Sequence, residues 1–105
     1  MKDLTIDTLI IEEDRPEHIA KHHITIDEVV EVLTGDYAYI EGRENRWLII
    51  GKTERKQFLT IVLGGRKAPN TYGLVTARPA RREERHFYSE YVAQRGGEED
   101  ENKKS

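Results

Sequence analysis

Three runs decide the fold: Asp36-Tyr37-Ala38-Tyr39-Ile40-Glu41, Arg46-Trp47-Leu48-Ile49-Ile50-Gly51-Lys52 and Gln57-Phe58-Leu59-Thr60-Ile61-Val62-Leu63. Each is short and rich in β-branched and aromatic residues, as strands are. The links between them, Gly42–Asn45 and Thr53–Lys56, are short and polar, as hairpin loops are. Loops of that length join antiparallel neighbours, because parallel strands need longer crossovers. Downstream, Gly64–Asn70 is a loop by its Gly and Pro content, and Tyr72–Arg78 reads as a fourth strand of the meander.

Upstream of the meander the pattern turns helical. Thr25 caps a helix, Glu28 sits three residues on as in a capping box, and Ile24 with Val29 has the spacing of a hydrophobic staple. Ile26, Val29, Val30 and Leu33 form one apolar stripe, and Gly35 stands where a left-handed helix-ending residue belongs. A shorter helix over 15–23 precedes it, with Asp14 as its cap, Glu17 completing a box and Pro16 in the first turn. Residues 4–12 read as a first strand. After Pro79 a third helix runs over about 79–94, with Ala80, Phe87, Tyr88, Tyr91 and Val92 as its apolar face and Glu84 as a polar interruption. Gly96-Gly97 should stop it. The order is β-α-α-β-β-β-β-α, an α+β fold with helices packed on a mainly antiparallel sheet.

Composition narrows the chemistry. The chain has 105 residues, the size of one domain, and no cysteine, which excludes disulfides, thiolate metal sites and cysteine nucleophiles. Its apolar runs fall short of the roughly 20 residues that span a bilayer, and Met1-Lys2-Asp3-Leu4 does not read as a secretory signal, so a cytoplasmic location is expected. Net charge is −3; residues 98–105 hold four acids and two lysines, and without them the body stands at −1. We therefore expect a domain over 1–95 and a disordered acidic and lysine-bearing tail over 96–105. Within the body, Arg78–Arg95 holds five arginines against three glutamates, and local field matters more to a ligand than the chain sum. A glycine-rich dinucleotide loop, a phosphate-cradling loop and a serine nucleophile elbow are all absent from the sequence.

The residues that could carry chemistry are histidines, arginines and aromatics. His18 and His22 lie at a metal-compatible helical spacing but lack a third ligand of matching spacing. The alternatives are acid–base chemistry near neutral pH or a plain solvated position at a helix end. Arg46, Arg66, Arg78 and Arg81 offer planar forks that match phosphate, whereas Arg82, Arg85 and His86 are read as pairing with Glu83, Glu84 and Glu90 on a solvated helix face. Tyr37, Tyr39, Trp47, Tyr72 and Tyr88 could stack bases or could pack a core.

Three segments, taken together, resemble the BrnT group of RelE-like bacterial toxins. Residues 16–33, from Pro16-Glu17-His18 through Lys21-His22-His23-Ile24-Thr25 to Leu33, are similar to that group's Lys-His-Gly-Val-Ser stretch and the amphipathic helix after it. Glu44-Asn45-Arg46-Trp47 with Ile50-Gly51 is similar to its Glu-Arg-Arg-Trp…Ile-Gly strand. Leu74-Val75-Thr76-Ala77-Arg78-Pro79-Ala80 with Glu84 and Tyr88 is similar to its Ala-Arg-x-Ala…Glu…Tyr ending. His23 stands where the group usually has glycine, and Pro79 where a basic residue is usual. The resemblance implies a RelE-like fold, cleavage of RNA to inhibit translation without a metal or other cofactor, and a cognate antitoxin that covers the active face. It places Lys21, His22, Arg46 and Arg78 at matched positions; on that basis His22, Arg46 and Arg78 are expected as catalytic residues, and Lys21, Arg66, Arg81 and Tyr88 as substrate-binding ones. The alternative is a RelE-like protein-binding module that does not cleave. The oligomeric state, a homo-oligomer included, is left open.

Overall fold

A computed structural model describes residues 4–104, with side chains described through residue 95. The elements are β1 (Thr8–Ile10), α1 (Arg15–Ala20), α2 (Ile26–Thr34), β2 (Tyr37–Glu41), β3 (Arg46–Lys52), β4 (Phe58–Gly65), β5 (Thr71–Pro79) and α3 (Arg82–Lys104), in the expected order. They build one five-stranded sheet, ordered β1-β5-β4-β3-β2. The meander β2–β5 is antiparallel. β1 is the exception and runs parallel to β5 over Thr8–Ile10, which the long stretch of chain between them permits.

Both hairpin links close as tight turns. Glu44 and Asn45 have φ values of 57° and 63°, and Arg46 N–H donates to the Arg43 carbonyl at 3.0 Å, the geometry of a type I′ turn. Lys56, at φ 68°, ends the other link, with its N–H on the Thr53 carbonyl at 2.8 Å.

Helices cover both faces of the sheet. On one face Ile19, Ile24, Val29 and Val32 of the α1–α2 layer pack on Trp47, Ile49, Leu59, Ile61 and Leu63. On the other, Tyr88 of α3 with Ala80, Ala38 and Ile50 forms a second cluster, flanked by Phe58 and Val92. Ile49 and Ile50 point to opposite faces and are both fully buried, which is why β3 reads as a continuous apolar run rather than an alternation. Gly51 is where α2 comes closest: an added Cβ would lie 2.8 Å from Val32 Cγ1.

The helix ends show where local signals held and where they did not. The capping box on α2 is complete, with Glu28 N–H donating to Thr25 Oγ1 at 3.2 Å and Thr25 N–H to Glu28 Oε1 at 2.9 Å. Gly35, however, is extended at φ −104° rather than left-handed, because the chain runs straight on into β2. Asp14 does not cap α1 with its side chain. Its carboxylate grips Arg15 instead, at 2.8 and 3.1 Å, and a two-point charged contact is stronger than a cap. α3 starts at Arg82 rather than near 79, since Pro79 still pairs with Leu59 in the ladder. Its backbone continues past Gly96-Gly97 to Lys104, glycine weakening a helix by about 1 kcal/mol without blocking its hydrogen bonds. The division into a domain over 1–95 and a tail over 96–105 remains an expectation from composition, which limited proteolysis would read out.

α1 ends in a Schellman motif: Ile24 N–H reaches the Ile19 carbonyl at 3.3 Å and His23 N–H the Ala20 carbonyl at 2.9 Å, with Ile19 and Ile24 both buried. The left-handed residue of that motif is His23, at φ 62°. Glycine alone takes this backbone without a Cβ cost, so His23 carries a local strain. Replacing His23 with glycine is expected to raise stability by up to about 1 kcal/mol in urea unfolding; a loss of stability would contradict the strain.

Candidate nucleic-acid interface

The face of the sheet that carries α3 is covered only in part. Alternation along β3 puts Arg46, Leu48 and Ile50 on that face, and the register pairs them with Gly64, Val62 and Thr60 of β4. Thr60 in turn pairs with Arg78 of β5. Arg46 and Arg78 therefore share one face, separated by four residues along β4, roughly 13 Å. Between them lie Leu48, Val62 and Val75, all half-buried.

At the loop end, Arg46 leaves the type I′ turn exposed, and among the described residues it pairs with no carboxylate. Its Nε is 3.7 Å from where a Cβ on Gly64 would sit. Arg66 follows β4 directly and folds back over Gly73, the cross-strand partner of Gly64. Its Nη2 makes a long 3.4 Å contact with Glu12, and both side chains are largely in water, so the charge stays available.

At the helix end, Arg78 is held by Glu84. Nη1 and Nη2 donate to Oε1 and Oε2 at 2.8 and 2.7 Å, a two-pronged pair with side-chain exposures of 21% and 14%. Glu84 Oε1 also accepts from Thr60 Oγ1 at 2.8 Å and from the N–H of Arg81 at 2.7 Å. As the third residue of α3 it thus accepts from the N–H of Arg81, the residue just before the helix, as the third residue of a capping box does. The Arg78 guanidinium, helped by the other two donors, brings the Glu84 carboxyl down to about 2 against the opposing effect of burial. Arg78 is held more firmly charged by the same contact.

The fold brings Arg46 and Arg66 together at one end of the face and Arg78 and Arg81 at the other. It does not bring in Lys21 and His22, which are exposed in the turn after α1, on the helix layer across the sheet. Tyr88 is 7% exposed and packs edge-on to Phe58 with ring centroids 5.3 Å apart, so its ring belongs to the core. Arg82 and Arg85 do not take Glu84; of the helical pairs expected, His86–Glu90 is formed, at 3.2 Å on the surface. Trp47 and Tyr72 meet edge-on under the α1–α2 layer.

Two residues at the free edge of β5 carry no distinctive motif. Arg15 Nη1 donates to the Val75 carbonyl at 2.6 Å, and His18 Nε2 lies 3.1 Å from Thr76 Oγ1. The His18 ring is therefore the imidazole nearest in sequence register to Arg78, two residues beyond Thr76. Its helical spacing to His22 was visible in the sequence, but which of the two faces the sheet was set by packing across 58 residues.

No family model matches the chain, and no curated protein matches it. Among solved structures it aligns with the Brucella abortus ribonuclease toxin BrnT, with a TM-score of 0.55 and 16% identity, over 76% of this chain and all of that one. The chain shares its fold with that protein. The likeness covers the α+β architecture and element order described above; among the described residues, no helix is long and apolar enough to cross a membrane.

Proposed function

We propose that this chain is a BrnT-type toxin of the RelE-like kind, a cytoplasmic, metal-independent endoribonuclease that cleaves RNA to inhibit translation and is neutralised by a cognate antitoxin. The observation that carries the proposal is the arginine face: Arg46, Arg66 and Arg78 on one open side of a sheet with the BrnT fold. In the reaction the ribose 2′-oxygen attacks the adjacent phosphorus. The bond to the departing 5′-oxygen breaks, leaving a 2′,3′-cyclic phosphate. One group takes the 2′-OH proton and another returns a proton to the leaving oxygen. Arg46 and Arg78 stand roughly 13 Å apart along β4 and face different phosphates of the strand; whichever lies at the scissile one steadies the charge that builds on its oxygens, and Arg66 and Arg81 hold the backbone. The acid–base role goes to a histidine of the α1 segment: His22 by family resemblance, His18 by its place beside β5.

Purified protein is expected to cleave single-stranded RNA in the presence of a chelator and to leave cyclic phosphate ends. Substituting alanine for the acting histidine should slow the reaction by about 10²–10⁴, and comparing His18→Ala with His22→Ala identifies it. RNA left intact with and without divalent ions would sink the enzyme reading; cleavage abolished by the chelator would sink the metal-free step. Co-expression with the small protein of a neighbouring reading frame tests the antitoxin.

A second reading, a RelE-like module that binds a protein partner and does not cleave, draws support from two observations. The Arg78–Glu84 pair leaves little net charge for a phosphate, and His22 stands across the sheet from the arginines. It expects tight partner binding by a protein without action on RNA.

A further inference from the structure

Gly64 and Gly73 face each other across β4 and β5, and on the open face their missing side chains leave a shallow bed in the sheet. Two guanidinium-bearing side chains lie on it. Arg46 crosses Gly64, with Nε and Cδ 3.7 and 3.8 Å from the position of a Cβ there. Arg66 crosses Gly73 more closely still, with Nε and Cζ both 2.7 Å from the position of a Cβ. A real Cβ at Gly73 could not coexist with that placement, so the glycine is a condition of where Arg66 lies. Directly paired residues hold their Cβ positions about 5 Å apart, so the two side chains approach the same few square ångströms of sheet from opposite strands. The wall beside them is apolar: Val75 Cγ2 lies 3.5 Å from the Gly64 position. Two exposed cations over a bed without side chains, one of them touched by Glu12 at 3.4 Å, suit an anion with several oxygens that must come close to the sheet.

We propose that Arg46 and Arg66 over the Gly64–Gly73 pair form a seat for the phosphodiester backbone of single-stranded RNA, and that Gly73 is its positioning residue. The choice of RNA as the carrier of the phosphate rests on the ribonuclease reading above; the seat itself does not. The seat is separate from the Arg78–Glu84 pair, about 13 Å along β4.

The test is binding of a fluorescent 2′-O-methyl oligouridylate, which lacks the attacking hydroxyl and so reports binding without cleavage. Affinity is followed by anisotropy as potassium chloride is raised. Each phosphate neutralised on a single strand contributes about 0.7 to the slope of log affinity against log salt. Arg46→Gln and Arg66→Gln are each expected to make the slope shallower by about 0.7, and the double variant by about 1.4. Gly73→Ala, which keeps every charge but displaces the Arg66 guanidinium, is expected to move the slope toward that of Arg66→Gln. Arg55→Gln, in the β3–β4 link at the far end of β3, should leave the slope unchanged. A double variant with the wild-type slope overturns the seat. Gly73→Ala with the wild-type slope, where Arg66→Gln has lowered it, overturns the positioning role. Cleavage of unmodified RNA is scored separately: slopes as expected without cleavage keep the seat and end the nuclease reading, and cleavage with unaltered slopes does the reverse.

Discussion

Replacing Glu84 with alanine is expected to lower stability by about 3 kcal/mol, which for a domain of this size lowers the melting temperature on the order of 15 °C. The size of the effect comes from how many partners lose their acceptor at once. Arg78 keeps its charge in a half-buried position with nothing to pair it. The Thr60 hydroxyl, 0% exposed, and the Arg81 N–H each lose the Glu84 oxygen they donate to. A loss under 1 kcal/mol in urea unfolding would show that the pair is ornamental.

The same carboxylate sets an acid limit. Its folded value, about 2, lies below the ordinary 4.5, so the folded state favours the ionised form. The resulting stability is fully present above the unfolded value and is lost as pH falls from about 5 toward 2, where the folded form also takes up a proton. A shift of this size corresponds to about 3 kcal/mol. Glu84→Ala should therefore lose less stability than wild type on acidification across that window. Parallel pH profiles for the two proteins would contradict this assignment.

Arg46→Ala is expected to reduce the rate of RNA cleavage by about 10²–10³ with stability changed by less than about 0.5 kcal/mol. Arg46 is exposed and, among the described residues, pairs with no carboxylate, so its removal leaves no uncompensated group there. Arg78→Ala should do both kinds of damage, because it strands Glu84 in a half-buried position as well as removing a cation from the face. Turnover and urea midpoints measured on both variants separate the two roles. An Arg46→Ala protein cleaving at the wild-type rate would remove Arg46 from the chemistry. An Arg78→Ala protein whose rate loss merely tracks its unfolded fraction would make Arg78 a structural residue.

The division between sequence and structure can be followed residue by residue. The meander was legible because its links are too short for anything but hairpins, and α2 because Thr25, Glu28, Ile24 and Val29 place their signals within five residues of one another. Glu84 was visible as a polar break in the apolar face of α3, but its partner was not: the sequence offered its helix neighbours Arg82 and Arg85, two and one residues away and so off its face, while the fold delivered Arg78 from the preceding strand. Asp14 had the right spacing for a cap and gave its carboxylate to Arg15.

By itself the sequence determined the element order, the α+β class and the arginines and histidines available for chemistry, because these depend on contacts within a few residues. Tertiary structure alone decided that Arg46 and Arg66 lie over paired glycines, that Arg78 is locked to Glu84, that His18 rather than His22 meets the sheet, and that Tyr88 is core. Each of those outcomes depends on strand register or on which face a helix covers, and a one-residue change in register would turn the strand side chains among them, Arg46 and Arg78, to the other side.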